Sequence, residues 1–279
     1  MSSRLMRVNI GAEAQFIEKT DRRAYPYLMN VFDTAVHQKI TEFIEKHEAP
    51  SRQRKIAVFD ADGTLWRGDV GEDFFKFQIE KQWLRKKIEN PLKAYFDEVE
   101  KGDPVKAYGW LAQWNAGASE EDMRRWSHEF FHEKYSKAIF EPMRLLTHSM
   151  MNAGFEVWIV SASPYWAVME GAKGFGVQPD RIIAVKTKTE KGILTDELAY
   201  PVPYRHMKME LVNKIIGDPP LFAAGNTFWD KELLSMATEM TLSINSEDQD
   251  GPNYKAEQDL RQLADSMAGK TPQWLTQRF

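Results

Sequence analysis

Two aspartates two residues apart, Asp60 and Asp62, close the apolar run Ile56-Ala57-Val58-Phe59 and lead into Gly63-Thr64. If the chain turns there, which Gly63 makes easy, both carboxylates reach one cavity. Crowded acids repel each other unless a cation sits between them or one keeps its proton. The pair therefore suits proton transfer, nucleophilic attack or ligation of a hard cation, and the same spacing also suits an Asx-type surface turn. A second polar group, Ser161-Ala162-Ser163-Pro164, closes the run Val157-Trp158-Ile159-Val160. Pro164 fits the first position of a helix with Ser163 as its N-cap, and a helix start offers free N–H groups to an anion. A third group, Gly225-Asn226-Thr227-Phe228-Trp229-Asp230, follows Leu221-Phe222-Ala223-Ala224 and brings an amide and an acid.

Something must hold these groups together. Short continuous apolar runs that alternate with helical patterns mark strands buried on both faces of a parallel sheet. Ligands bind beyond the carboxyl ends of such strands, so the three polar groups converge on one rim. Nearly a hundred residues separate the first two runs, where a crossover needs only about a dozen. Residues 69–147 carry helically spaced aromatics, among them Phe74, Phe75, Phe77, Trp83, Tyr95, Trp110, Trp114, Trp126 and Phe130. Breaks at Pro91, Gly102-Asp103-Pro104 and Gly117-Ala118-Ser119 divide this stretch into about four helices, the last opened by Ser119.

We therefore expect an α/β protein with a Rossmann-like parallel-sheet core over residues 55–68 and 148–279. A helical cap is inserted over 69–147, and a helical extension occupies 1–54. Within the extension, residues 27–48 line up Leu28, Val31, Phe32, Val36, Ile40, Phe43 and Ile44 on one helix face. Residues 182–185 and 241–245 read as further strands, 186–200 as a hairpin around Lys191-Gly192, and 255–267 as a surface helix.

Composition narrows the partners. The 279 residues hold 37 Lys and Arg against 41 Asp and Glu, a net charge of −4, which excludes a general electrostatic grip on nucleic acid or anionic lipid. Cysteine is absent, which removes disulfides, thiolate metal sites and cysteine nucleophiles. The charge-free run 157–169, which only 107–119 equals in length, contains Pro164 and is too short to span a membrane. Arg4 and Arg7 precede an apolar stretch too short for a signal peptide. A cytoplasmic protein with no nucleic-acid or membrane partner is expected.

Phe59-Asp60-Ala61-Asp62-Gly63-Thr64-Leu65 resembles the DxDGT signature of the haloacid dehalogenase superfamily, and three further stations follow in order. Ser161 resembles the second motif, Lys208 in Tyr204-Arg205-His206-Met207-Lys208 the third, and the segment Gly225 to Asp230 the acidic fourth. The likeness covers residues 55–246, and its insert position and motif order are most similar to the phosphoserine phosphatase-like branch. It implies an aspartyl-phosphate intermediate, with Asp60 as nucleophile and Asp62 as acid and base. Ser161 and Lys208 would hold phosphate, while Thr64, Asp69, Ala162 and Ser163 would lie along the substrate. It also implies Mg²⁺, held by Asp60, Asp62, Asn226 and Asp230. Family dehalogenases lack the second aspartate, so Asp62 favours phosphoryl transfer. Asn226 departs from the pattern, because many relatives have Asp there; an amide oxygen still ligates Mg²⁺, but the site loses one negative charge. Lys186 and Lys188 are the alternatives to Lys208 should the motif alignment slip.

Substrate selection is less determined. In relatives that hydrolyse phosphoserine, an acid at the place of Asp69 recognises the substrate ammonium; Asp69 equally suits a first-turn acid favoured by the helix dipole. Trp110 and Trp114, with Tyr108 nearby, either offer faces to a quaternary ammonium or form the cap's own core. Arg67 and His206 flank the motifs, in contact with substrate or in structural roles. The expected function is Mg²⁺-dependent hydrolysis of a small phosphorylated metabolite of phosphoserine or phosphocholine type. A non-hydrolytic phosphate-binding protein and a phosphotransferase of the same fold are the competing readings.

Overall fold

The computed structural model describes residues 6–10, 13–17 and 32–279. Met6–Ile10 (β1) pairs antiparallel with Glu13–Ile17 (β2), so a hairpin stands inside the stretch expected to be a helical extension. Arg7, Val8, Asn9 and Ile10 alternate polar and apolar, a period of two that no helix favours. The helix of this region, Thr34–Lys46 (α1), buries Val36, Ile40, Phe43 and Ile44; positions 27–31, with Leu28 and Val31, lie outside the described residues.

Along the chain then come Ile56–Phe59 (β3), Val70–Glu80 (α2), Pro91–Val99 (α3), Val105–Gln113 (α4), Glu120–Phe130 (α5) and Glu141–Asn152 (α6). They are followed by Glu156–Pro164 (β4), Tyr165–Ala172 (α7), Ile182–Val185 (β5) and the hairpin Thr187–Glu190 (β6) with Ile193–Leu198 (β7). His206–Ile215 (α8), Phe222–Gly225 (β8), Lys231–Ser235 (α9), Met240–Asn245 (β9), Tyr254–Ser266 (α10) and Gln273–Arg278 (β10) complete the order.

Six strands form one parallel sheet in the order β10-β9-β8-β3-β4-β5. The apolar runs are continuous because both faces are covered, and alternate residues serve opposite layers. Ala57, Phe59, Val157, Ile159 and Phe222 pack with α1 and α6, whereas Ile56, Val58, Trp158, Val160 and Ala223 pack with α8, α9 and α10 through Leu211, Leu233 and Leu260. The edge strand β10 is absent from the sequence expectation. Its sequence Gln273-Trp274-Leu275-Thr276-Gln277-Arg278 mixes half-buried, buried and exposed positions, so it lacks the apolar run that marks the central strands.

The stretch 69–135 holds helices α2 to α5, and α3 and α4 share a small core of Phe75, Tyr95, Leu111 and Trp114. The expected cap boundary at 147 falls inside α6, which packs on β4 and buries Met143, Leu146 and Met150 in the main core. Among the described residues no helix is long and apolar enough to cross a membrane.

Candidate functional site

The site begins where β3 stops. Asp60 N donates to Ala224 O (2.9 Å), the last rung of the ladder, and the chain then folds back through Leu65 N to Ala61 O (2.7 Å) and Gly63 N to Trp66 O (2.8 Å). Gly63 sits at φ +71°, and a Cβ there would lie 1.9 Å from Asn226 Nδ2, so no other residue fits this turn. The result places Asp60 and Asp62 in one cleft.

Asp60 is nearly enclosed. Its Oδ1 accepts from Lys208 Nζ at 2.5 Å and its Oδ2 from Thr64 Oγ1 at 3.1 Å. Lys208 also donates to Asp230 Oδ1 at 2.7 Å. Burial, and after it the charge of Asp230, push Asp60 up to about 7 even though Lys208 pulls the other way. Burial alone would lower Lys208, but Asp230 and Asp60 outweigh it and hold the ammonium above its usual range. Lys208 is thus a fixed cation. It lies in the first turn of α8, which the chain enters through Arg205 in the left-handed region at φ +50°.

Asp62 is fixed by three donors: Trp66 Nε1 (2.7 Å) and Val70 N (2.8 Å) on Oδ1, and Ser163 Oγ (2.5 Å) on Oδ2. Desolvation in the cleft raises its carboxyl, and these three hydrogen bonds only partly offset that rise. The Ser163 bond corrects one expectation. β4 runs on through Pro164, whose ψ of 133° is extended, and α7 begins at Tyr165 without a side-chain cap. Ser163 has a charged acceptor within reach, which outcompetes the capping role. Ser161 Oγ accepts from Ser163 N at 3.0 Å, and Ser161, Ala162 and Ser163 all line the cleft.

The fourth loop is organised by Asp230. Its Oδ2 accepts from Asn226 N (3.3 Å), Thr227 N (3.1 Å) and Thr227 Oγ1 (3.1 Å), while Oδ1 faces Lys208. Both oxygens are therefore engaged by the protein. Asn226 uses N and Nδ2 as donors and leaves Oδ1 without a protein donor among the described residues.

A cavity of about 110 Å³ joins these groups. Asp60, Asp62, Ser161, Lys208, Asn226 and Asp230 line its floor, and Asp69, Tyr95, Tyr108, Leu111, Tyr204 and Trp229 line the walls. Thr64 is fully buried behind Asp60 and does not face the cavity. Asp69 caps α2 through Glu72 N (2.8 Å) and still lines the wall. Trp110 and Trp114 stack on each other at 5.0 Å within the cap and stay out of the cavity. Arg67 donates to Ser246 O (2.7 Å), His206 is exposed, Lys186 lies over the Tyr165 ring and Lys188 pairs with Glu197. None of these four lines the cavity. Sequence reasoning missed Tyr95, Tyr204 and Trp229 as wall residues; Tyr204 and Trp229 stand inside the third and fourth motif segments, which was the available signal.

Among the described residues no group of three or more His, Cys, Asp or Glu is arranged to cage a metal ion. The oxygens at hand are the Asp60 carboxylate, which Lys208 and Thr64 also engage, and Asn226 Oδ1, which has no protein donor among the described residues. Two hard oxygens fit Mg²⁺, which keeps several waters and shares its shell with substrate phosphate.

Comparison with known proteins gives the family and the fold. The family model for haloacid dehalogenase-like hydrolases matches residues 57–227. A protein of unknown function from Bordetella pertussis Tohama I superposes with a TM-score of 0.63 at 19% identity, covering 80% of this chain and 98% of that one. A functionally unknown protein from Anaerococcus prevotii DSM 20548 gives 0.61 at 14% identity, with 86% and 92% covered. Cytosolic 5'-nucleotidase IIIB bound to cytidine gives 0.53 at 13% identity, with 82% of each chain covered. Curated proteins yield no significant match. The chain belongs to the haloacid dehalogenase-like hydrolases.

Proposed function

We propose that the chain hydrolyses a small phosphomonoester with the help of Mg²⁺, through a phosphate ester of Asp60. The observation that carries this reading is the meeting of Asp60, Asp62, Ser161 and Lys208 around one cavity. The Asp60 carboxylate attacks phosphorus in line as the bond to the leaving oxygen breaks, and Asp62 gives that oxygen its proton. Water then attacks the acyl phosphate while Asp62 takes a proton back, which frees phosphate and restores Asp60. A carboxyl raised by desolvation suits the first role, because it must carry a proton before the leaving group needs one. Lys208 and Ser161 offset and orient the phosphoryl oxygens. Mg²⁺, held by Asp60 and Asn226 with Asp230 bracing the loop, would add the larger share of positive charge.

The walls favour a substrate whose other end is cationic and lacks a carboxylate. Tyr95, Tyr108, Tyr204 and Trp229 supply aromatic surface, and Asp69, whose carboxyl burial and then Asp62 and Glu72 push well above its ordinary range, is the wall group that a cationic substrate end would draw into its charged form. Among the described residues Lys208 is the sole cation lining the cavity, and Asp60 and Asp230 already engage it. A substrate carboxylate would therefore meet acids without a counter-ion, which sets phosphocholine-like esters ahead of phosphoserine. The partner in this reading is a small phosphorylated metabolite.

A phosphate-release screen over choline, ethanolamine, serine, sugar and nucleotide monoesters tests this. Phosphocholine should exceed phosphoserine in kcat/KM by about tenfold or more, the effect of one uncompensated charge contact, and EDTA should abolish turnover. Preference for phosphoserine would refute the substrate reading. No turnover of any ester at high Mg²⁺ would refute the enzyme reading and leave a binding protein.

A further inference from the structure

One fully buried carboxylate borders the cleft without entering the chemistry above. Glu257, in the first turn of α10, is 0% exposed. Its oxygens accept from Ser246 N (3.2 and 3.1 Å) and Glu247 N (3.1 Å), and Oε1 stands 3.5 Å from Asn226 Nδ2. Ser246 Oγ lies 3.2 Å from Glu257 Oε1 and 3.1 Å from Gly63 O, so α10 is tied to the turn that follows Asp62. A carboxylate only accepts hydrogen bonds, so the end of the Asn226 amide turned to Glu257 is its NH₂. Close packing on Gly63 fixes where that side chain lies. Oδ1 is left on the opposite end of the amide, with no protein donor among the described residues, in a residue that lines the cavity.

We propose that Glu257 is a positioning residue for Asn226: from behind the site it keeps Oδ1 turned into the cleft and carries the negative charge that an aspartate at 226 would have brought. The pair is charge-complementary. An aspartate at 226 beside Glu257 would put two carboxylates about 3.5 Å apart in a buried place, which is costly unless one is protonated. An amide at 226 with an acid at 257 keeps one charge and one fixed acceptor. The mirror arrangement, acid at 226 and amide at 257, keeps the same two features. This inference rests on the metal reading of the cleft given above.

Calorimetric titration with Mg²⁺ alone, together with metal-free melting temperatures, tests it on the full chain and on Glu257→Gln, Asn226→Asp and the double variant. Glu257→Gln presents an amide that no longer dictates the Asn226 orientation, and it should bind Mg²⁺ about ten- to a hundredfold more weakly, as loss of outer-sphere partners commonly does. Asn226→Asp alone should lower the metal-free melting temperature. The double variant should recover both the melting temperature and a Mg²⁺ affinity within about threefold of the parent, because the amide introduced at 257 can donate to the carboxylate introduced at 226. A purely structural Glu257 would show no such rescue. Unchanged Mg²⁺ affinity in Glu257→Gln, or a double variant that binds no better than Glu257→Gln, would overturn the proposal. If Glu257→Gln alone does not fold, the double variant decides by the same criterion: recovered folding and affinity uphold the pairing, and failure of either refutes it. A parent chain that binds no Mg²⁺ would sink the metal reading itself, an outcome distinct from parent binding that Glu257 does not influence.

Discussion

Asp60 and Asp62 are both raised by their surroundings, and each is expected to show its own signature on substitution. Asp60 sits at about 7 in the folded chain, against about 3.9 when unfolded. A group that holds its proton more tightly when folded contributes stability that is complete below about pH 4 and is lost as pH rises through about 7. Asp60→Asn removes that loss, and it leaves Lys208 paired with Asp230, so no buried cation is stranded. In EDTA at pH 7.5 the variant should melt several degrees above the parent, a gain on the order of 1–3 kcal/mol, while turnover falls by roughly a thousandfold or more. A variant that melts at or below the parent would contradict the account of a desolvated nucleophile. Asp62→Asn removes the proton donor and should cut kcat about 10²- to 10⁴-fold on an alkyl phosphate. On p-nitrophenyl phosphate, whose leaving oxygen needs no proton, the loss should be much smaller. Equal losses on the two esters would rule out proton donation by Asp62.

The elements that carry these groups differ in how openly the sequence declares them. β3, β4 and β8 are continuous apolar runs because both sheet faces are covered, so the meeting of their polar ends on one rim is legible from the run of residues. β10 is not, because an edge strand that mixes half-buried, buried and exposed positions lacks that run. Pro164 reads as a helix start, but Asp62 lies a hundred positions away in sequence and draws Ser163 out of the cap; no local rule contains that contact. The cavity walls bring Tyr95 and Tyr108 from the cap to Tyr204 and Trp229 of the core, and helical spacing alone pointed instead to Trp110 and Trp114. Glu257 arrives from α10, beyond the last motif. At this scale Gly225, the final residue of β8, is the tightest joint. A Cβ there would lie 2.7 Å from Asp230 Cβ and 3.1 Å from its Oδ2, so Gly225→Ala must push Asp230 away from Lys208 and the Thr227 donors. Overpacking of this kind costs about 1–3 kcal/mol. Denaturant melts should show that loss and steady-state assays a fall in turnover; a variant as stable and active as the parent would show that Asp230 does not organise the loop.

Over the whole molecule, the cap is held by more than its two chain connections: α2 and α5 pack on α7, and a hairpin of the core clasps it as well. Its connections to the core are zipped together by Arg67 N to Ala138 O (2.9 Å) and Phe140 N to Leu65 O (2.9 Å). The clasp is the β6–β7 hairpin, which rises from the core and bonds the α4–α5 junction through Gly117 N to Leu194 O (2.8 Å), Leu194 N to Ala118 O (2.9 Å) and Glu120 N to Gly192 O (2.9 Å). Gln113 Nε2 adds a bond to Asp196 O at 2.8 Å. The Leu194 side chain, 3% exposed, anchors this clasp in the main core. Tyr108 and Leu111 lie on α4, the helix beside the clasp, so the hairpin sets how closely those two walls approach the catalytic floor. Leu194→Ala removes the anchor at a local cost of about 2–5 kcal/mol and leaves every floor residue in place. The expected result is a KM for phosphocholine that rises severalfold with kcat nearly kept, and faster proteolytic nicking in 113–120 than in the parent. A drop in kcat at constant KM would mean instead that the clasp acts on the floor, and that the cap finds its position without the hairpin.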